Sequence, residues 1–493
     1  MSKIFLPNGM EASKAIYSEL PIFEYNSNPY IQALPQIKNK EEIIKSLMIN
    51  QPFDVNEREF DSSIRVHLIQ RIYKVFLALP IHVRVWNNIN TLIRQGYVAR
   101  NPFSKEYKRF VNETGKQIIN RTFDINSRSS FRTTASCGLL VGHSGMGKST
   151  VTNLTVSCIP QIICHNEYNG MNFNQIQLSW LKLEAPFNSS PKSLAHQFFI
   201  KIDELLGTDN FKRSVSRNLS TDSMMSLIGK VANNVGLGML IIDELQHLNR
   251  GGTSQIMNFL VSLINLFGVP ILFIGTPASY DIFQSELRIS RRVTGNGEII
   301  WNNMNNDEEF SLLLKGLWRY QWTRKPVALT DEIVNLFYYF TQGISDLVVK
   351  LFVNCQYVAI TTGKEEITKE LIAKVAEQEF RLMKPMIEAI RSGNTYKIQQ
   401  YEDIRRLDIN NTVEEEKKPN IKTVKNEKSI VVDKKEKNPL INKIKSIKVK
   451  ELNDDDLRKL VHEGGLKGKS PYNILNENEY IDDMSYFQDG VEL

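Results

Sequence analysis

Apolar residues recur along this chain in two rhythms, and the change from one to the other divides it. From residue 136 short unbroken apolar runs, CGLLVG, IQLSWLKLEA, GMLIIDEL and VPILFIGT, alternate with stretches of helical period. Each run is long enough for a strand buried on both faces, and strands alternating with helices predict an α/β protein with a parallel sheet. After about Trp301 the strand runs stop. The windows 332–340, 346–360 and 368–380 instead repeat apolar residues at three- and four-residue steps, with Thr368 placed as an N-cap, and predict a small all-helical domain.

Residues 1–110 mix short helical stretches with Pro and Asn. The basic run RVHLIQRIYKVFLALP from Arg65 sets Val66, Leu68, Ile69, Ile72, Val75, Phe76 and Leu79 near a helical period, which predicts a helical adaptor region packed on something larger. Residues 411–450 are rich in Lys and Glu and poor in aromatics, so they bury too little to offset their ordering entropy and are expected to be a disordered charged linker. Apolar content returns in LRKLV, PYNIL and MSYF, the expected partner-binding tail. The resulting division is 1–110 adaptor, 111–300 sheet domain, 301–405 helical domain, 406–450 linker and 451–493 tail.

A chain of 493 residues, 42% of them hydrophobic, exceeds what one core of about 250–300 residues holds, so several packed domains are expected. The net charge of +6 is a mild excess that permits a nucleic-acid partner without demanding one. Cys137, Cys158, Cys164 and Cys355 form no C-x-x-C pair and no zinc spacing, and the N-terminus lacks an apolar core after its first basic residue. Reduced thiols in a cytoplasmic protein without structural metal are the expectation. The window 257–274 is broken by Asn258, Ser262, Asn265, Gly268 and Pro270, and reads as a buried helix followed by a strand rather than a membrane span.

The chemistry sits at the ends of the apolar runs. GHSGMGKS, from Gly142 to Ser149, matches G-x-x-x-x-G-K-[ST] and lies between a predicted strand and a predicted helix, the context that separates a phosphate loop from a chance Gly-rich turn. Gly142, Gly145 and Gly147 let the backbone wrap phosphate oxygens, and the expected nucleotide contacts are these with His143, Ser144, Met146, Lys148, Ser149 and Thr150. Lys148 supplies a charge at the β and γ phosphates, and Ser149 a hydroxyl for Mg²⁺. GMLIIDEL ends in Asp243, placed to hold Mg²⁺ through water, and Glu244, placed to orient and deprotonate the attacking water. Two acids at the end of a buried strand are costly unless a cation or water satisfies them. Thr276, after VPILFIG, is placed to touch the γ-phosphate or the lytic water; the plainer alternative is a turn or cap residue. In ELRISRRV, one of Arg288, Arg291 and Arg292 is expected to reach a neighbouring subunit's γ-phosphate, the alternative being a DNA-facing or ion-paired cluster.

In this order the segments resemble TnsC, the AAA+ regulator of cut-and-paste DNA transposition. The resemblance covers most of residues 25–400 and includes NPYIQALP from Asn28, GYVARNP from Gly96, GMLIIDELQHLN from Gly238, MNFLVSLINLFGVPILFIGTP from Met257, GISDLVVKLFVNCQYVAI from Gly343, PMIEAIRSG from Pro385 and, more faintly, DDDLRKL at Asp454. It implies a three-layer αβα AAA+ core with a helical lid, ATP and Mg²⁺ as cofactors, and a homo-oligomeric ring or filament on double-stranded DNA. It also implies a target-selection partner (TnsD/TniQ-like) and transposase partners (TnsA/TnsB-like) held by the tail. Candidate DNA contacts are Lys182, Lys192, Lys212, Arg213 and Arg217; the alternative for each is an exposed solvated base. One departure stands out: where these ATPases often carry a lid arginine, GISDLVVKLF offers Asp346 and then Lys350.

Three other classes are consistent with parts of the pattern. An origin initiator or loader would carry a C-terminal winged helix, which residues 401–493 do not suggest. A nucleotide-switch signalling ATPase without a DNA partner would append a repeat array, and no repeat is evident. A small-molecule kinase would need a mobile lid near the phosphate loop rather than a helical domain far downstream.

Overall fold

The computed structural model describes residues 3–119, 133–216, 220–248, 253–284 and 294–401, all within one compact unit. Its strands, in chain order, are β1 (Lys3–Phe5), β2 (Glu11–Lys14), β3 (Cys137–Gly142), β4 (Ile162–Tyr168), β5 (Met171–Leu178), β6 (Trp180–Glu184), β7 (Met239–Asp243), β8 (Ile271–Gly275) and β9 (Glu298–Trp301). The central sheet runs β6-β7-β8-β3-β9 and is parallel throughout, as the apolar runs predict. Every residue of β3, β7 and β8 is buried, which accounts for runs without polar alternation. Because β8 lies between β3 and β7, the carboxyl ends of three strands, carrying the phosphate loop, the acidic pair and Thr276, meet at one edge. In an open parallel sheet that edge is where ligands bind.

The run IQLSWLKLEA is not one strand. It breaks at Ser179, whose N–H donates to the Gln161 carbonyl, so that β5 belongs to a second sheet and β6 to the central one. The second sheet has the order β1-β2-β4-β5, its β4–β5 hairpin turning at Asn169 and Gly170 with φ of +50° and +75°. An Asn-Gly pair suits that mirror-image turn because both positions tolerate positive φ. The N-terminal hairpin β1–β2 adds to β4 in parallel, through Ser13 beside Ile163 and Lys14 beside Cys164. The N-terminal region therefore contributes strands as well as the expected helices.

That region also supplies a layer of the core. The Pro80–Val98 helix has Pro in its first turn and a capping interaction in which the Leu79 N–H donates to His82 Nδ1 at 2.9 Å. It buries Val85, Trp86, Ile89, Leu92, Ile93 and Tyr97 at helical spacing against β3, β7, β8 and β9. Each such side chain contributes roughly 1.5–3 kcal/mol as an upper bound. Just beyond its C-terminus Arg100, 1% exposed, donates to the carbonyls of Gly96, Leu237 and Gly238 at 2.7, 2.6 and 3.2 Å. A buried guanidinium is tolerated there because carbonyls, including one from the helix end, surround it.

The amphipathic run from Arg65 is shorter as a helix than its period suggests. The Ser62–Leu68 helix tightens into a 3-10 stretch over Ile69–Lys74, and the chain from Val75 to Leu79 is extended, with Phe76 paired to Ile49. Extension follows from what these residues face, which is a cavity wall rather than a helix groove. After β9 comes the helix Glu308–Trp318, which no predicted window covered, and then Asp331–Thr341, Ser345–Thr361 and Lys369–Glu379, which match the three predicted windows, with Thr368 accepting from the Leu371 N–H at 3.2 Å. Thr253–Phe267 is a helix followed by β8, and no single helix among the described residues is long and apolar enough to cross a membrane.

Arg65 joins the N-terminal segment to this helical domain. It is 1% exposed and meets Glu365 in a two-pronged ion pair at 2.6 and 2.7 Å, while donating to the carbonyls of Phe60 and Trp322. Removing one partner of such a buried pair leaves the other charge uncompensated, at a cost of about 3–5 kcal/mol. Arg65→Ala is therefore expected to lower the urea midpoint markedly; a midpoint within error of the parent would show that the pair contributes nothing to stability.

Candidate functional site

At the carboxyl end of β3 the backbone is crowded. A Cβ on Gly142 would lie 2.3 Å from the Trp301 carbonyl oxygen, and the next residue, His143, donates its N–H to that same oxygen at 3.2 Å. Only glycine permits this approach. Gly147 then adopts φ of +94° as the N-cap of the Lys148–Ser157 helix, so the loop turns its backbone into the first helical turn. The Lys148 ammonium donates to the carbonyls of Gly142 and His143 at 2.7 and 2.8 Å, which holds its charge beneath the loop.

Facing the loop are the ends of β7 and β8. Asp243, 5% exposed, accepts from the Glu244 N–H at 2.9 Å through Oδ1 and binds the Lys182 ammonium at 2.8 Å through Oδ2. Lys182 also donates to Asn153 of the Lys148–Ser157 helix at 3.0 Å. Glu244 stands in the left-handed region at φ of +55°, a conformation a non-glycine residue keeps only when its surroundings enforce it. Its Oε2 accepts from Gln246 Nε2, and Gln246 Oε1 accepts from the Thr276 N–H at 3.2 Å. Thr276, 5% exposed, has a buried hydroxyl with no hydrogen-bond partner among the described residues. An orphaned hydroxyl costs about 1–3 kcal/mol, which a phosphate oxygen or a water would repay.

These groups line a cavity of 390 Å³. Its polar side is Ser144–Thr150, Asp243, Glu244, Gln246 and Thr276; its apolar side is Tyr73, Val75, Phe76, Leu77 and Leu79 from the N-terminal segment with Leu313, Leu317 and Val349 from the helical domain. The helical domain closes over the loop directly, the Asp346 N–H donating to the Gly145 carbonyl at 3.0 Å. At the position where AAA+ ATPases often carry a lid arginine, Asp346 pairs with Lys350 at 2.6 Å. Size, a phosphate cradle at one end and an apolar slot at the other fit a nucleoside triphosphate. The residues fit Mg²⁺ too, since Ser149 and Asp243 both face the cavity and offer oxygen donors.

The sequence-predicted residues Gly142–Thr150, Asp243, Glu244 and Thr276 are thus gathered at one place. Lys182 is placed beside Asp243 rather than on an open surface, so its charge is engaged at the nucleotide site. Lys192, Lys212 and Arg213 are exposed on the Pro191–Leu206 and Asn210–Ser216 helices. Arg217, Arg288, Arg291 and Arg292, and the linker and tail after residue 401, lie outside the described residues. The apolar wall and Gln246 were not anticipated. Phe76 and Leu79 were visible as apolar positions, but a helical reading pointed them at a core rather than a ligand.

His82 also lines the cavity, its ring tilted against those of Phe76 and Trp301. Burial holds its imidazole well below the usual 6.5, at about 4, against the opposing pull of a backbone hydrogen bond at Leu77. His165 is held down to about 4 in the same way. An unfolded chain takes up these protons near pH 6.5, so neutral His82 stabilises the fold fully above that pH. The contribution is lost as pH falls toward 4, by up to about 3 kcal/mol. The melting temperature is therefore expected to drop between pH 7 and pH 5, and His82→Gln, which keeps an acceptor for the Leu79 N–H, should flatten that slope. An unchanged slope in the variant would rule out His82 as a source.

Comparison with known proteins agrees with this geometry. A family model described as an AAA domain matches residues 131–283, which hold the phosphate loop, the acidic pair and Thr276 but not the apolar wall. No curated protein matches. Among solved structures the chain is similar to the Aeropyrum pernix ORC1 protein in complex with DNA, at 14% identity over 58% of this chain and 70% of that one with a TM-score of 0.35. Similarity extends to Drosophila ORC bound to DNA, at 13% identity over 69% and 85% of the two chains with a TM-score of 0.33. The Thermotoga maritima RuvB Holliday junction branch migration motor gives 11% identity over 77% and 89% with a TM-score of 0.28. Strand order, phosphate loop and family match together establish a parallel-sheet α/β fold of the P-loop AAA type, the fold of nucleotide-hydrolysing ATPases.

Proposed function

We propose that this chain is an ATP-driven switch of the TnsC kind, which assembles on double-stranded DNA with ATP bound and leaves it after hydrolysis. In that role it links a target-selection protein to a transposase. The observation that carries the ATPase half is the single cavity in which the phosphate loop, two adjacent acids, an orphaned hydroxyl and an apolar slot converge. The transposition half is supported by where the resemblance falls. NPYIQALP and GYVARNP lie at the joint between the N-terminal region and the sheet, where Asn28 donates to the Tyr97 carbonyl at 2.7 Å and Tyr97 to the Gly236 carbonyl at 2.7 Å. The likeness thus extends beyond phosphate-binding machinery.

In the proposed cycle the loop amides and Lys148 hold the triphosphate and Glu244 takes a proton from the attacking water. Mg²⁺, with Ser149 and Asp243 as its protein ligands, would neutralise charge on the phosphate oxygens. Thr276 lines the same space, and an arginine from a neighbouring subunit, one of Arg288, Arg291 and Arg292, completes the site. Lys192, Lys212 and Arg213 are the remaining described candidates for the DNA backbone.

Glu244→Gln is expected to bind ATP, remain on DNA and lose hydrolysis by about a hundredfold or more; hydrolysis at the parental rate would remove Glu244 as the base. Lys148→Ala should lose nucleotide binding and, through it, assembly, and retained ATP affinity in a direct titration would contradict the phosphate-loop assignment. A gel shift giving equal DNA affinity with ATP and without nucleotide would leave the ATPase reading standing and remove the DNA switch.

A further inference from the structure

The contact that the motifs do not account for is Gln246. We propose that Gln246 is a positioning residue for hydrolysis, aiming the Glu244 carboxylate by tying it to the end of β8; the inference rests on Glu244 being the base. The amide is held at both ends. Its Oε1 accepts from the Thr276 N–H at 3.2 Å and its Nε2 donates to Glu244 Oε2. Chemistry fixes this orientation, because a flipped amide would set NH₂ against an N–H and a carbonyl oxygen against a carboxylate.

Two features of the surroundings give the tie a purpose. Glu244 leaves β7 with φ of +55°, after the ladder of the central sheet has ended at Asp243, so no strand pairing holds its side chain. Gln246 belongs to the Leu245–His247 turn that follows and reaches across to the Thr276 N–H at the end of β8, which couples the placement of the base to that of Thr276. The amide also engages a single carboxylate oxygen. Among the described residues no hydrogen bond is made to Glu244 Oε1, so that oxygen is the one left to take the proton from water. An N–H donor on one oxygen and an open second oxygen is the arrangement that orients a carboxylate base without neutralising it.

Without the amide, Glu244 would still be present and the phosphate cradle intact, but the carboxylate would sample several rotamers. Misplacing a catalytic group by about an ångström costs on the order of a hundredfold in rate. The test uses the full-length protein with Gln246→Ala and Gln246→Met, the second keeping close to the side-chain volume while removing the donor without adding a charge. Measured quantities are kcat and KM for ATP hydrolysis, the dissociation constant of a fluorescent ATP analogue with Mg²⁺, and the melting temperature.

Both variants are expected to lose about 10- to 100-fold in kcat. Affinity for the analogue should stay within about threefold of the parent, because the phosphate cradle is untouched, and the melting temperature should not move. A parental kcat in both variants, while Glu244→Gln is inactive, would overturn the proposal and leave the base assignment intact. A raised kcat would overturn it as well, by showing that the amide restrains Glu244. Loss of analogue affinity or of melting temperature in step with kcat would assign Gln246 a structural role instead. Activity retained by Glu244→Gln would instead remove the reading on which the inference stands.

Discussion

Where β3 ends, two backbones lie closer than any side chain would allow, with Gly142 against the Trp301 carbonyl and His143 bonded to the same oxygen. That contact fixes the point at which the phosphate loop leaves the sheet, and the other features of the site are set out around it. The loop must turn into its helix at Gly147, which aims the helix N-terminus at the cavity. β8, inserted between β3 and β7, brings Thr276 and the acidic pair to the same edge. The strand order and the close approach together convert three scattered sequence features into one polar wall.

The other wall comes from chain segments far away in sequence. Residues 73–79 line the slot only because the Pro80–Val98 helix is packed across the sheet and anchored through Arg100 and Tyr97. Leu313, Leu317 and Val349 come from the helical domain, whose Asp346 reaches the Gly145 carbonyl. Arg65 and Glu365 fasten those two contributors to each other. The slot therefore depends on contacts outside residues 131–283, the span that the AAA family model matches. A ligand filling it would touch the sheet, the N-terminal segment and the helical domain at once.

The parts of this arrangement visible in sequence are those whose information is local. The phosphate loop, the Asp243–Glu244 pair and the strand before Thr276 each declare themselves within ten residues, because a strand buried on both faces and a glycine-rich turn have their own compositions. The helical windows after Trp301 were readable for the same reason. What depended on tertiary contact was not. IQLSWLKLEA reads as one strand, and only the competition between two sheets splits it at Ser179. The run from Arg65 keeps a helical period past the point where Val75–Leu79 must extend to face a cavity. Lys182 looks like any strand-edge base until β6 and β7 pair and set it beside Asp243. The Asn169–Gly170 pair is a local hairpin signal between β4 and β5 that was legible in the sequence and went unread, because β5 was fused with β6 into one run.

The central claim is that one triphosphate-sized ligand bridges the phosphate loop, the N-terminal segment and the helical domain. Amide hydrogen exchange of the full chain, with and without a non-hydrolysable ATP analogue and Mg²⁺, tests it most directly. Protection is expected to rise together in the segments 144–150, 73–79 and 345–349, each of which contributes residues to the cavity wall from a different direction. Protection confined to the phosphate loop, or absent from all three segments, would contradict the account.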